Sequence, residues 1–503
     1  MAFAIDNKKI AKNTIALYIR LAFTMVIGFV TTRVTLQQLG VEDFGLNNLV
    51  GSIVSMFSFL NGSMGTAVQR FYCVEIGKGN ENRLKRVFGT GLYLHIWVAV
   101  ITVVLAEIFA IFFLHMMNIP EKRLFAAQVV FQISIISLGL NIINVPYAAL
   151  LRAREMFDKT AILEIIQAVL RLGILYLLII IDFDKLIVLS VLGLFVTLFY
   201  VGAIYRLARK FDETHSRPLK DRELIKDMLS FISLLLITVL SQLAKTQSIV
   251  MFVNIFFGLI INAAYAVAVQ VSNMVNTFAM SFKQSMIPQM MAACGAGDYK
   301  SMHKIIDMGT KITFLLMMMI SVPIMFESDF LLRIWLNTPP EHSAHLVTLV
   351  LLYINIASFT YFHYQGVHAT GNIKSQQMWV SALYIANIIL IYVVFKMGAS
   401  FATALYINMI ISFLQCVVNL IFAKRKFGYD IFNFGKGILF PCVLVVFIVV
   451  GGNLLLVRFF EPSIVRFILI LAASEITILV CGYGIILNGE ERQKMKSMFV
   501  RKM

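Results

Sequence analysis

Apolar runs of twenty or more residues, rich in Leu, Ile, Val, Phe and Met, recur from one end of the chain to the other between short polar turns. None alternates with the two-residue period of a membrane barrel strand, so each run predicts a transmembrane helix. Six fall at about 13–37, 45–75, 87–115, 124–150, 160–181 and 186–208. Eight more fall at about 228–257, 263–291, 305–326, 345–369, 375–395, 399–423, 437–457 and 464–487. The fold class is all-α: a polytopic membrane protein of about 14 helices.

The pattern also repeats. Shifting the chain by 218 residues lays GKGNENRLKR on GAGDYKSMHK and pairs Gly40 with Gly258, Gly91 with Gly309 and Lys8 with Lys226. Each copy holds six helices, an even number, so the copies share one orientation and form a parallel repeat. The expected organisation is an N-terminal lobe at 1–208, a charged cytoplasmic linker at 209–227 and a C-terminal lobe at 228–423. Helices 13 and 14 with a basic tail, at 424–503, fall outside the repeat.

Composition sharpens this reading. With 59% hydrophobic and 14% charged residues and a mean hydropathy of +0.84, the chain could not cover a soluble surface with polar groups. The five cysteines are scattered without a CxxC pair and suggest neither a disulfide framework nor a zinc site. The basic start leads into an apolar segment without a small-residue cleavage site, which reads as an uncleaved first span.

Basic residues sort onto one side of the helices. Of 43 Lys and Arg, 29 fall in the two ends and the even-numbered connections and seven in the odd-numbered ones, which places both termini in the cytoplasm. The net charge of +16 is then topology and attraction to anionic lipid in the bilayer, with no nucleic acid implied. Seven cations remain inside the apolar runs: Arg20, Arg33, Arg70, Arg171, Lys245, Lys283 and Lys311. Charge in a bilayer costs several kcal/mol or more, roughly, and marks a function by default.

Two polar hairpins carry most of these cations. In the second helix Asn48, Ser52, Ser55, Gly62, Thr66 and Arg70 share one face; the seventh carries Thr238, Ser241, Lys245 and Ser248, and the eighth Gln270, Asn273, Asn276 or Thr277, and Lys283 or Gln284. A water-filled cavity explains them, as do groups that cap one another between helices or snorkel to the headgroups. Arg20, Arg70 and Lys283 each lie about 9 to 12 Å from the cytoplasmic end of their helices. The candidate substrate-binding set is Arg20, Arg33, Arg70, Lys245, Lys283, Asn273, Asn276 and Ser52. Glu107, Glu164, Asp307 and Glu475 are candidates for coupling to protons or sodium, or structural partners of nearby cations such as Arg171 for Glu164.

The LG-x-EDFG-L-NLV turn after the helix bearing Arg20, the GKGN turn after helix two, PYAALLRAREMF closing helix four and the two repeated lobes carry a resemblance. The chain resembles the polysaccharide transporters of the multidrug/oligosaccharidyl-lipid/polysaccharide exporter superfamily, closest to Wzx-type O-antigen or capsule-repeat flippases. The resemblance implies alternating access in a bacterial inner membrane that moves undecaprenyl-diphosphate-linked oligosaccharide to the periplasmic leaflet for lipopolysaccharide or capsule, with contacts to polysaccharide assembly proteins. It also implies essential cations on helices one, two and eight, for which Arg20, Arg70 and Lys283 are the candidates. Arg and Lys suit a pyrophosphate headgroup.

The alternative is an ion-coupled multidrug or metabolite antiporter of the same superfamily, which relies on buried carboxylates. A membrane polymerase or sugar transferase would need a large outward loop or a catalytic cluster, and the outward connections stay below roughly 20 residues. His363 and His368 have no carboxylate in sequence reach and read as interfacial histidines, not metal or acid–base groups. There is no GxxxxGK[ST] sequence, so the chain is expected to use neither ATP nor another cofactor and not to be an enzyme.

Overall fold

A computed structural model describes residues 5–116, 120–181, 183–489 and 491–492, and among these the regular structure is helical throughout. Twelve helices are long and apolar enough to cross a membrane. Two continuous stretches, Asn7–Lys78 and Arg222–Gly295, are far too long for one crossing. At 1.5 Å per residue the 74-residue stretch would run roughly 110 Å against a hydrocarbon core of about 30 Å. Each is broken once by a glycine, Gly40 (φ 73°, ψ 174°) and Gly258 (φ 79°, ψ −173°). Only glycine populates that backbone region without strain. Divided there, the described residues hold fourteen long helices, the twelve with Arg222–Gly295 counted twice and 41–78 added, beside the short helix Ser328–Leu336.

They are numbered α1 (Asn7–Gly40), α2 (41–78), α3 (Glu81–Met116), α4 (Glu121–Ala153), α5 (Phe157–Leu177), α6 (Lys185–Ala208), α7 (222–257) and α8 (259–295). The rest are α9 (Tyr299–Phe326), α10 (Ser343–Thr370), α11 (Lys374–Lys396), α12 (Thr403–Phe427), α13 (Ile431–Phe459) and α14 (Ile464–Ile486). The glycines that end α2 and α8, Gly79 and Gly297, both have positive φ and stand 218 residues apart, as do Gly40 and Gly258. Short polar groups start several helices: Asp184 accepts from the amides of Leu186 and Ile187, Asp298 from Ser301 and Ser463 from Arg466.

The chain forms two compact units, one from Lys9 to Ser233 and one from Leu234 onward together with the residues before Lys9. In the first, α4 packs between α3 and α6, and α5 packs on α6. In the second, α12 packs on α10 and α11, α9 on α10, and α13 and α14 pair with each other beside α9. Large apolar side chains such as Phe195, Ile410, Phe447 and Leu455 point outward, as lipid contact requires. Inside the second unit, polar pairs tie helices together: Asn387 to Asn408 at 3.0 Å, Gln376 to Asn419 at 3.0 Å, Asn355 to Ser321 at 2.9 Å and Asn453 to Ser474 at 2.8 Å. In an apolar solvent such bonds and close packing replace hydrophobic burial as the cohesive terms.

Candidate functional site

Lys245 on α7 and Lys283 on α8 are buried in the second unit, 8% and 4% exposed. Among the described residues neither ammonium has a hydrogen bond or a carboxylate partner. What faces them is tyrosine: Lys245 Nζ lies 5.4 Å from the ring centre of Tyr353 and 5.6 Å from that of Tyr384, and Lys283 Nζ lies 4.6 Å from that of Tyr361. A desolvated cation–π contact contributes about 2 kcal/mol, whereas taking an ammonium out of water costs several kcal/mol, roughly. The rings therefore offset only part of the cost, and an anionic group entering here would supply the remainder.

One of these rings, Tyr361, and the neighbouring Tyr364 are held by amides from the same lobe. Gln365 donates to Tyr361 Oη at 3.4 Å, and Gln377 lies between Tyr364 Oη, at 3.2 Å, and His368 Nε2, at 2.6 Å. Sequence reasoning singled out the two lysines but not the rings around them. Their signal was faint: Tyr353, Tyr361 and Tyr384 are spread over α10 and α11. His363 and His368, read as interfacial, are 0% and 2% exposed in the lobe interior. The aromatic residues around them mark a packed helix rather than a headgroup layer.

The first unit holds its cations in more than one way. Arg20 reaches Glu164 at 2.7 Å, so Glu164 is taken across helices α1 and α5 rather than by Arg171 on its own helix. Arg70 lies over Phe71 and Phe231, 4.8 and 5.3 Å from their ring centres. Arg33 is exposed. Arg20 and Arg70 thus belong to one unit and Lys283 to the other. Asn273 is exposed, Asn276 makes a long 3.5 Å contact to Ser272, and the side chain of Ser52 lies outside the described residues.

Among the coupling candidates, Glu107 accepts from Gln132 at 2.9 Å, Glu164 is ion-paired and Glu475 is half-buried on α14. Asp307 accepts from Tyr429 Oη. Two further ion pairs were not anticipated. Arg466, counted by sequence among outward connections, is buried and grips Glu327 with two hydrogen bonds, and Lys311 is held by Glu491 at 2.9 Å.

The MatE family model matches residues 17–177 and again 235–395, two copies offset by the same 218 residues as the glycines. The chain belongs to the MatE family. This MatE protein is a membrane transporter, not an enzyme. It is 26% identical over 326 residues to the "Probable multidrug resistance protein YoeA" of Bacillus subtilis (strain 168), covering 61% of this chain and 68% of that one. Among solved structures it is similar to a MATE protein crystallised in the bent conformation, with TM-score 0.69, 14% identity and coverage of 84% and 95% of the two chains. It is also similar to a MOP superfamily transporter from Pyrococcus furiosus Vc1 (DSM3638), with TM-score 0.68 at 13% identity over 84% and 95%, described as having a binding pocket of reverse polarity. A third similar structure is the MATE transporter ClbM in complex with Rb+, with TM-score 0.66 at 12% identity over 84% and 95%. At such identities the structures establish the fold alone. The relatives carry MATE and multidrug names, and the O-antigen or capsule specificity implied by the sequence resemblance finds no support among them.

Proposed function

We propose that this MatE protein is an ion-coupled antiporter of a bacterial cytoplasmic membrane that exports amphipathic organic solutes, drugs or metabolites, bearing an acidic group. The multidrug relative supports the transport class. The observation that carries the substrate charge is the pair Lys245 and Lys283, buried against tyrosine without a carboxylate among the described residues. A charge-assisted hydrogen bond to an entering carboxylate or phosphate would complete either ammonium group, while the tyrosine rings would stack on an apolar body. A cationic drug would meet like charge on both helices.

An ammonium so placed would also accept the pyrophosphate of a lipid-linked oligosaccharide, so the experiment needs two arms. Expressed in a pump-deficient host, the protein should raise tolerance to acidic amphiphilic antibiotics several-fold and leave tolerance to quaternary ammonium compounds unchanged. Deleting the gene in its own host should leave surface glycan intact. Loss of glycan with intracellular accumulation of the lipid-linked unit would overturn the antiporter reading in favour of flipping.

A further inference from the structure

One face of α9 carries His303, Asp307 and Lys311, each one turn from the next. Asp307 Oδ1 accepts the hydroxyl of Tyr429, which lies in the turn between α12 and α13. Lys311, 5% exposed, donates to both oxygens of Glu491 at 2.9 and 3.2 Å. Glu491 belongs to the segment after α14 and is fixed by a reciprocal cap: its Oε2 accepts the Asn488 amide at 2.8 Å, and its own amide donates to Asn488 Oδ1 at 2.9 Å. His303 Nε2 lies 3.0 Å from the carbonyl of Phe427. From α10, His363 meets the Tyr429 ring edge-on at 4.5 Å between centres. It is fully buried, and among the described residues neither of its ring nitrogens has a hydrogen-bond partner; the buried Thr310 hydroxyl, one turn from Asp307, has none there either. Asp430 beside Tyr429 and Cys442 of α13, which faces Lys311, complete the titratable surroundings.

Here Lys311 is ion-paired to Glu491 while Asp307 feels the same ammonium only at longer range, and the neighbouring buried His363 has no hydrogen-bond partner among the described residues. The Glu491 carboxylate acts on Asp307 against the attraction of Lys311, inside a low-dielectric bundle. Like charges so placed favour taking up one positive charge. Several other carboxylates are better matched: Glu164, Glu213 and Glu327 each have an arginine. Asp43 and Asp184 do share Arg123, but Asp184 is also held by two backbone amides at the start of α6.

We infer that Asp307 is a proton site of the C-terminal lobe, ionised in one transport state and protonated in the other, with Tyr429, Lys311 and Glu491 setting its affinity. The inference rests on the ion-coupled reading above only for its use in transport. Protonation adds a hydrogen to an Asp307 oxygen while Tyr429 keeps its own. A proton suits the cluster better than a metal ion: the orphaned imidazole and hydroxyl can exchange hydrogen bonds with a neutral acid, whereas sodium would require several converging oxygens. The charge on Asp307 also acts on Glu491 through their common ammonium. Ionised Asp307 competes for Lys311 and repels Glu491, so protonation tightens the docking of the C-terminal segment, and docking favours protonation in return.

The test is a pH-difference infrared titration of the purified full-length protein in nanodiscs, without cargo, following the carbonyl stretch of protonated carboxylic acids. Wild-type protein should show a band that Asp307→Asn lacks and Asp307→Glu keeps. Glu491→Gln frees Lys311 for Asp307 and should move the band to lower pH by about one unit; Tyr429→Phe removes a donor to the ionised form and should move it the opposite way. If Asp307→Asn does not fold, these opposed shifts decide the matter. A band untouched by all the variants, or one abolished by excess sodium at fixed pH, would overturn the proton site. Because no cargo is present, an error in the proposed substrate leaves the titration unchanged.

Discussion

In the N-terminal unit Arg20 takes Glu164, Arg154 takes Glu213 and Arg123 takes Asp43 and Asp184, whereas in the C-terminal unit Lys245 and Lys283 face tyrosine rings. The C-terminal unit is not averse to ion pairs, since Arg466 and Lys311 make them. Arg70 of the N-terminal unit also lies over aromatic rings, so what sets the two lysines apart is a buried ammonium whose facing rings are tyrosines. An arginine already satisfied by a carboxylate gains little from a cargo anion. An ammonium offset only by aromatic quadrupoles has its strongest interaction still to make.

The most damaging way to break this comparison is to neutralise the lysines. Lys245→Gln and Lys283→Gln should each lower export of acidic solutes by about 10- to 100-fold, the worth of a charged hydrogen bond, at normal membrane abundance. Arg20→Gln should instead lower abundance, because it strands Glu164, and Glu164→Gln placed on top should restore part of it. Immunoblots of membranes beside transport rates separate the two behaviours.

A second contrast is the buried pair outside the lysine site. Glu327→Gln leaves the Arg466 guanidinium in the interior without its charge partner and should cost about 3–5 kcal/mol, seen as a lower melting temperature. Two residues on, Asp329→Asn breaks only an exposed pair with Arg333 and should change stability by less than about 1 kcal/mol.

The repeat supplies a third contrast. A Cβ at Gly309 would lie 2.6 to 2.8 Å from the Phe362 ring, while one at the equivalent Gly91 would meet Tyr72 Oη at 3.4 Å. Gly309→Ala should thus cost about 1–3 kcal/mol by overpacking. Gly91→Ala should be neutral or stabilising by up to about 1 kcal/mol, as alanine suits a helix better. Equal melting shifts would mean that the lobes pack alike at this register.

The fold was legible because its signals are local. Runs of apolar residues mark the helices, and Gly40 and Gly258 could be paired by register before their matching positive φ angles were known. The site was legible only in part. Lys245 and Lys283 stand out as charges in apolar runs, but the tyrosines that separate them from Arg20 come from helices distant in sequence. Likewise Glu164 lies 144 residues from Arg20, and Glu327 lies 139 from Arg466. Without those pairings every intramembrane cation looks alike, which is why a pyrophosphate site spanning both lobes was the natural expectation.

The smallest effect belongs to a pair in the N-terminal unit. Asp221 lies outside the spans, and the hydrogen bond from Arg86 holds its carboxyl below the ordinary carboxylate range. Its contribution is present above that ordinary range and is lost as pH falls through the depressed value. Arg86→Ala should remove less than about 1 kcal/mol at neutral pH and nothing once Asp221 is protonated. Melting curves at neutral and acidic pH check both halves.

Transport by purified protein in proteoliposomes, offered one aromatic amphiphile as its acid, its neutral amide and its amine, tests the substrate assignment most directly. The acid should be carried at least about tenfold faster than the other two, and Lys245→Gln and Lys283→Gln should erase that preference. Faster transport of the amine, unchanged in both variants, would contradict the assignment of the two lysines as the cargo site.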